Sequence, residues 1–449
     1  MAQRYFIETF GCQMNFHDSE RMAGLLEGAG YERSTVAEEA DVVVINTCSV
    51  REKAEEKLYT RLGEIRQRGD ETGVRPIVAV AGCVAQQEGE KLFARANGRT
   101  IDVLVGTQAL KRLPILVDQA VAAPHARGPV VDLNPYEDVS FPLGIARRDD
   151  PVKAYVTIIE GCNEFCAFCV VPYTRGHERM RPVRDIEADV RRAVDTGARE
   201  VQLLGQIVNH YEAPDVPGCD FADLLARLGS ITGLERIRFA SPHPRHVTPR
   251  MIAAMRDIPQ VCRHLHLPVQ SGSTRLLKIM RRRYTRDEYL DLIAQLRDAM
   301  PDLALSTDII VGFPGETGED FEQTLSLAAT VRYHSMFSFK YSPRPNTLAQ
   351  KRLPDGVPEE EKTRRIVALQ GQQKDIQGEL FAAAVGRVER VLVDSHSRRR
   401  EWELSGRTSG NTVVNLPGPP DWLGRLLDVR ITAANPNSLR GEAVEDGRL

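Results

Sequence analysis

Hydrophobic and polar positions follow three successive rhythms along this chain of 449 residues. In the first 120 residues, short apolar runs at 5–10, 41–46, 77–81 and 103–105 read as strands. Helical stretches around 19–29, 52–68 and 86–94 lie between them. Such alternation predicts an open parallel α/β domain over 1–120. Residues 121–150 are rich in proline and charge and lack periodicity, which predicts a linker. A second series starts at Lys153, with strands expected at 154–160, 201–205, 236–241, 264–269, 304–311 and 336–342. Helices are expected near 185–197, 221–229, 249–257, 286–299 and 319–331. Six right-handed βα units predict a (β/α)6 part-barrel over 151–372, not a closed eight-fold barrel. After Gln370 the pattern changes to short strands at 388–393, 402–404, 412–415 and 427–432, punctuated by Gly, Asn and Pro. That predicts a small β-barrel over 373–445.

Composition narrows the setting. Hydrophobic residues make up 42% and charged residues 27%, the balance of an ordinary globular protein. No apolar stretch reaches the length of a membrane span, and the chain starts on a strand, not a signal peptide. A cytoplasmic location without membrane contact is expected. The net charge of −3 gives no global pull on nucleic acid, so any RNA contact must come from local basic patches. Eight cysteines are too few for a disulfide scaffold in a chain this long and favour metal or redox roles.

Three of those cysteines sit in Gly161-Cys162-Asn163-Glu164-Phe165-Cys166-Ala167-Phe168-Cys169, directly after a strand. Thiolates so close in the chain can converge on one side of a metal centre. Three ligands leave one iron of a four-iron cluster without a protein donor, whereas a closed structural site wants a fourth Cys or His. The alternatives are a redox-silent cluster or a zinc site completed by His177, but no nearby residue forms a zinc-type pair of pairs. Cys12, Cys48 and Cys83 are far apart, yet each follows the end of a strand. Successive strands of an open parallel sheet bring their carboxyl ends to one crevice, so these three predict a second three-thiolate site. A buried small hydrophobe is the plainer reading of each. Cys219 and Cys262 have no such address and are read as spare.

The Cys162-x-x-x-Cys166-x-x-Cys169 spacing, with Phe168 before the last cysteine, resembles the radical S-adenosylmethionine superfamily. The two cysteine sets together resemble the methylthiotransferases, within them the branch acting on isopentenyl-adenosine beside the anticodon of tRNA. The likeness runs through Glu8-Thr9-Phe10-Gly11-Cys12-Gln13-Met14-Asn15, Asn46-Thr47-Cys48-Ser49-Val50-Arg51 and Ala81-Gly82-Cys83-Val84-Ala85-Gln86. It continues in Pro172-Tyr173-Thr174-Arg175-Gly176, His266-Leu267-Pro268-Val269-Gln270-Ser271-Gly272-Ser273 and Ser306-Thr307-Asp308-Ile309-Ile310-Val311-Gly312-Phe313-Pro314-Gly315-Glu316. The last third resembles the TRAM domain, a small RNA-binding β-barrel. Two places depart from the family pattern: Ile207 stands where Asn is usual, and Asn346 and Leu348 where Gly and Pro are usual.

The resemblance implies two 4Fe-4S clusters, one on Cys162, Cys166 and Cys169 and an auxiliary one on Cys12, Cys48 and Cys83. It implies S-adenosylmethionine as both radical source and methyl donor, with Phe168 and the Gly312-Phe313-Pro314-Gly315 turn beside it. Gln206 and Asn209 are expected near the substrate. Basic candidates for tRNA contact are Arg175, Arg179, Arg181 and Arg184 with His177, Arg281–Arg283 with Tyr284, and Arg398, Arg399 and Arg400 with Trp402. The last set is favoured because it lies on the expected RNA-binding barrel. A solvated charged face is the plainer reading of each. A low-potential electron donor and a sulfur donor are required, neither named by the sequence, and a monomer is expected. Related enzymes that modify a ribosomal-protein aspartate or threonylcarbamoyl-adenosine share both cysteine sets. Gln206-Ile207-Val208-Asn209-His210-Tyr211 sits nearer the isopentenyl-adenosine branch. A non-catalytic iron–sulfur RNA-binding protein is the alternative of another class.

Overall fold

The computed structural model describes residues 2–49, 52–96, 100–122, 128–134, 146–397, 400 and 402–444. Much of the expected linker (123–127 and 135–145), Val50 and Arg51 of the second cysteine motif, and the candidates Arg398 and Arg399 lie outside the described residues. The chain forms two compact units. The first comprises Met1–Asp149, Glu160–Asn163 and Val170–Arg181; the second comprises Asp150–Ile159, Glu164–Cys169 and Pro182–Leu449.

In the first unit six strands form one sheet, in the order Glu32–Arg33, Arg4–Phe10, Val42–Thr47, Ile77–Gly82, Val103–Val105 and Val130–Asp132. Every pairing is parallel. The central strands Val42–Thr47 and Ile77–Gly82 are buried throughout, as continuous apolar runs covered on both faces should be. Side-chain parity divides the core. Tyr5, Val42, Val44, Ala79 and Val103 pack with Met22, Leu26, Leu113 and Val117 on one face. Val43, Ile45, Val78, Val80 and Leu104 pack with Leu58, Leu62 and Val84 on the other. The two edge strands were not anticipated: Glu32–Arg33 is too short to show a period, and Val130–Asp132 lies in the stretch read as a linker. The helix Gln13–Gly28 also starts six residues before its expected position, directly after Cys12.

In the second unit the strands Lys153–Thr157, Glu200–Leu204 and Arg236–Phe239 form one parallel sheet. His264–His266, Ala304–Val311 and Ser335–Lys340 form another, also parallel. Helices Val183–Asp195, Phe221–Gly229, Pro249–Asp257, Arg286–Ala299 and Gly318–Val331 connect them, the βα series read from the sequence. The change of pattern placed after Gln370 comes later: the first strand begins at Val388 as expected, and a single helix runs from Glu359 to Ala382 across that point. Its sequence is rich in Glu, Gln, Lys and Arg, which favour helix, but apolar residues are too sparse to mark a face.

Beyond that helix a closed five-stranded barrel follows, in the order Val388–His396, Glu403–Thr408, Val413–Pro417, Ser438–Ala443 and Leu426–Asn435. The fifth strand, Ser438–Ala443, was missed. It buries only Leu439 and Gly441, and a Cβ at Gly441 would stand 2.5 Å from Val429 Cγ1. Two buried arginines of the part-barrel hold this barrel. Arg236 donates to the carbonyls of Arg407 and Arg390 at 2.5 and 2.6 Å. Arg238 donates to Thr408 O at 2.7 Å and Ser409 O at 3.0 Å, and pairs with Glu200 at 2.9 Å.

Candidate functional site

Register brings the dispersed cysteines together. Phe10 pairs with Thr47, and Thr47 with Gly82, so three neighbouring strands end level. Cys12, Cys48 and Cys83 follow those ends at one carboxyl edge. Two glycines let the loops close up. A Cβ on Gly11 would stand 2.8 Å from Cys48 Cβ, and one on Gly82 would stand 2.3 Å from Asn46 Oδ1. Gly82 also holds φ 92° and ψ −159°, a conformation essentially reserved for glycine. Asn15 and Asn46, both fully buried, tie the loops together. Asn15 Nδ2 donates to Asn46 Oδ1 at 3.1 Å, and Asn46 Nδ2 donates to Asn15 O at 2.8 Å and Ser19 Oγ at 2.9 Å. These asparagines were missed as site residues, although both stand within the quoted cysteine motifs.

The electrostatics treat the thiols unequally. A hydrogen bond from Cys48, outweighing burial and aided by Arg175 and the Asn15 and Met14 amides, brings the Cys12 thiol down to about 6. Burial pushes the Cys83 thiol up, and Arg175 opposes it. Arg175, expected from its sequence context at the tRNA surface, is corrected by the structure. It is buried, and its Nη2 donates to the equally buried Asp18 at 2.6 Å. Burial alone would lower its pKa, but Asp18, Cys83 and Cys12 hold it charged. Arg179 likewise pairs with Glu160 at 3.2 Å, and Arg181 is buried.

Cys162 belongs to the first unit, where it is buried and its amide donates to Gly176 O at 3.1 Å. Gly161 before it has no room for a Cβ, which would stand 2.0 Å from His177 O. Cys166 and Cys169 belong to the second unit and share a tight turn, Cys169 N donating to Cys166 O at 3.0 Å. Ala167 between them is pinned on both sides: its amide donates to Met280 O at 2.9 Å, and its carbonyl accepts from Ala349 N at 2.8 Å. Glu164 anchors the same loop, accepting from His246 Nε2 at 2.9 Å, with Arg245 and Arg283 each at 3.5 Å. That hydrogen bond from His246, against the effect of burial, holds the Glu164 carboxyl down at about 2.

None of the eight cysteines forms a disulfide. Among the described residues no three Cys, His, Asp or Glu side chains are set to hold a single metal ion. A four-iron cluster asks for something different, since each thiolate binds its own iron and the sulfurs stand a cluster edge apart. Three converging thiols with a buried cation beside them, tightened by glycines where a Cβ would clash, fit such a group.

The remaining candidates divide. Phe168 meets Phe313 edge-on at 6.5 Å, but Phe313 is fully buried against Tyr341. Gly312, at φ 68°, leaves its missing Cβ to Lys362 Cγ, which would lie 2.3 Å away, and so serves helix packing. Gly315 faces open space. Asn209 is spent on structure: its amide donates to His243 O at 3.0 Å and accepts from His243 N at 2.8 Å. Gln206 keeps a buried amide oxygen with no hydrogen-bond partner among the described residues. Arg282, grouped by sequence with a basic surface, is buried and directed at Cys166. On the barrel, Arg400 lies 5.5 Å from the centre of the Trp402 ring, which is 58% exposed.

Three family models match the chain: Uncharacterized protein family UPF0004 over residues 4–106, the Radical SAM superfamily over 156–328, and the TRAM domain over 382–444. The tRNA-2-methylthio-N(6)-dimethylallyladenosine synthase of Photorhabdus laumondii is 45% identical over 445 residues, covering 98% of this chain and 92% of its own. The protein of the same name from Solibacter usitatus is 46% identical and covers 98% of both. That from Methylococcus capsulatus is 46% identical, covering 99% and 96%. Among solved structures, the radical S-adenosylmethionine methyltransferase TsrM from Kitasatospora setae, with cobalamin and a 4Fe-4S cluster bound, is similar in fold. Its TM-score is 0.54 at 14% identity, covering 78% of this chain and 77% of that one.

Proposed function

This chain belongs to the family of the tRNA-2-methylthio-N(6)-dimethylallyladenosine synthases, and we propose that it converts isopentenyl-adenosine next to the anticodon of tRNA into its 2-methylthio derivative. The observation that carries this reading is the level carboxyl edge Phe10–Thr47–Gly82, from which Cys12, Cys48 and Cys83 converge. A radical generator needs one open-sited cluster; an enzyme that also transfers sulfur needs a second. Carbon 2 of adenine bears a hydrogen that no side-chain base removes at neutral pH, so a radical is required.

In this reading Cys162, Cys166 and Cys169 hold one 4Fe-4S cluster, and Cys12, Cys48 and Cys83 hold the other. With S-adenosylmethionine, the two groups supply the electron that opens the sulfonium and the sulfur that is transferred. The protein's share is positioning and charge. Arg175 balances thiolate charge at the auxiliary site, and Glu164 anchors the other loop. Gln206 would offer its amide oxygen to a donor on the substrate, and Phe168 and Gly315 would be the residues toward the S-adenosylmethionine. Arg400 and Trp402 offer a phosphate contact and a stacking face on the barrel, with Arg398 and Arg399 next to them in sequence. A low-potential one-electron donor and a sulfur donor complete the reaction. The protein acts as a monomer in the cytoplasm.

Mass spectrometry of tRNA nucleosides from a strain lacking this protein tests the reading. Isopentenyl-adenosine should accumulate without its methylthio form; unchanged methylthio levels reject the assignment. Formation of 5′-deoxyadenosine by the reconstituted protein after dithionite separates an enzyme from a non-catalytic iron–sulfur binder.

A further inference from the structure

Arg282 is 6% exposed, and among the described residues no carboxylate forms an ion pair with it. Each nitrogen of its guanidinium donates elsewhere. Nε donates to Tyr284 Oη at 3.0 Å, Nη2 to Pro268 O at 2.7 Å, and Nη1 to Cys166 Sγ at 3.5 Å. Tyr284 keeps its proton, because burial raises its pKa, and it donates to Val269 O at 2.9 Å. A buried cation without a counter-charge is costly. The one group in its hydrogen-bond set that can carry a full negative charge is the Cys166 sulfur.

The backbone supports this placement. Arg281 and Arg283, on either side, hold left-handed φ of 60° and 61°, uncommon for arginine. Arg282 N donates to Leu277 O at 2.9 Å, and Met280 O in the same segment accepts from Ala167 N, the residue after Cys166. One stretch of chain therefore holds the loop and aims a fixed cation at its middle cysteine.

We propose that Arg282 sets the reduction potential of the cluster held through Cys166, which rests on the reading that Cys162, Cys166 and Cys169 carry a 4Fe-4S group. Uptake of one electron from a low-potential one-electron donor adds one negative charge to that group. A guanidinium hydrogen-bonded to a ligand sulfur in a water-poor site stabilises the added charge and raises the potential. Arg282 thus acts as a positioning residue that makes the electron easier to deliver.

The test uses the full chain with Cys12, Cys48 and Cys83 replaced by Ala, reconstituted anaerobically so that one cluster reports. Its midpoint is titrated by electron paramagnetic resonance without S-adenosylmethionine. Arg282→Gln should lower the reduced-to-oxidised ratio at fixed potential at least tenfold, which is 59 mV for a one-electron couple. Arg282→Lys, which keeps the charge but loses the fork, should fall in between. An Arg282→Gln midpoint equal to the parent's overturns the proposal. A second measurement needs no variant. With guanidino-15N-arginine in the parent, the reduced cluster should show a 15N hyperfine coupling, and its absence also overturns the proposal. A parent that loads no reducible four-iron cluster would defeat the underlying cluster reading instead.

Discussion

If Cys12, Cys48 and Cys83 hold an auxiliary cluster as proposed, Gly82→Ala should remove it and spare the cluster on Cys162, Cys166 and Cys169. Its φ of 92° with ψ −159° is open essentially to glycine alone, so a side chain there stores about 1–3 kcal/mol of backbone strain. The new Cβ would also lie 2.3 Å from Asn46 Oδ1, 2.9 Å from Thr47 O and 3.3 Å from Asn15 Nδ2. Thr47 O belongs to the central strand and cannot retreat. Asn46 can move only by giving up its bonds to Asn15 and Ser19. Overpacking of this kind adds about 1–3 kcal/mol, for a total of roughly 2–6 kcal/mol. Domains are stable by about 5–15 kcal/mol, so the fold should survive while the strain is relieved locally. Relief means moving residues 82 and 83, which displaces the Cys83 thiol. The assay is iron per chain after anaerobic reconstitution. The parent should hold about eight irons if both sites carry four-iron clusters, and the variant about half. Formation of 5′-deoxyadenosine after dithionite should persist, while methylthio product on tRNA disappears. Gly63→Ala is the control, since Gly63 lies within the helix Glu52–Thr72 and a Cβ there meets nothing within 4 Å. A Gly82→Ala protein with full iron and full tRNA activity would refute the reasoning.

Three further outcomes are expected. Arg238→Ala should destabilise the second unit by about 3–5 kcal/mol in chemical denaturation, because it leaves Glu200 buried without its cation and frees two barrel carbonyls. Burial acts to raise the Asp320 carboxyl, but hydrogen bonds from Arg275, Ser273 and Thr317 win and hold its pKa below the usual carboxylate range. A depressed folded pKa contributes stability above the unfolded value near about 3.9, and that stability is lost as pH falls below it. Asp320→Asn should therefore flatten the acid limb of a stability-versus-pH curve; an unchanged limb would show that other carboxylates carry it. Trp402→Ala should weaken tRNA binding by about 1–3 kcal/mol in a filter assay; unchanged binding would rule out a base stacked on this ring.

The cysteine addresses were readable because strands buried on both faces advertise themselves. Val42–Thr47 and Ile77–Gly82 are apolar runs, and the cysteine directly after each is fixed in space by the sheet. The helix Glu359–Ala382 shows the opposite case. Its residues favour helix, yet without an apolar stripe the periodicity gave no warning that it would continue past Gln370.

Charge was the least legible property, and for a physical reason. A run of arginines looks solvated in sequence, because most are, and burial depends on a partner that can lie anywhere in the chain. The partner of Arg175 is Asp18, 157 positions away; that of Arg282 is a sulfur 116 positions away. Neither distance leaves a local signature. Sequence does offer a contextual clue for Arg175, which stands in a motif quoted for the family just after the Cys162–Cys169 loop, where a cation has an anion to meet; Arg282 has none. In the fold, each three-cysteine set has a buried guanidinium beside at least one of its sulfurs, Arg175 toward Cys83 and Cys12, and Arg282 toward Cys166. An open-sited cluster gives up one thiolate ligand, and it must still accept electrons or hold anionic sulfur. On the proposed two-cluster reading, a fixed buried cation at each site would meet that requirement without blocking the undonated iron, which a fourth cysteine would do.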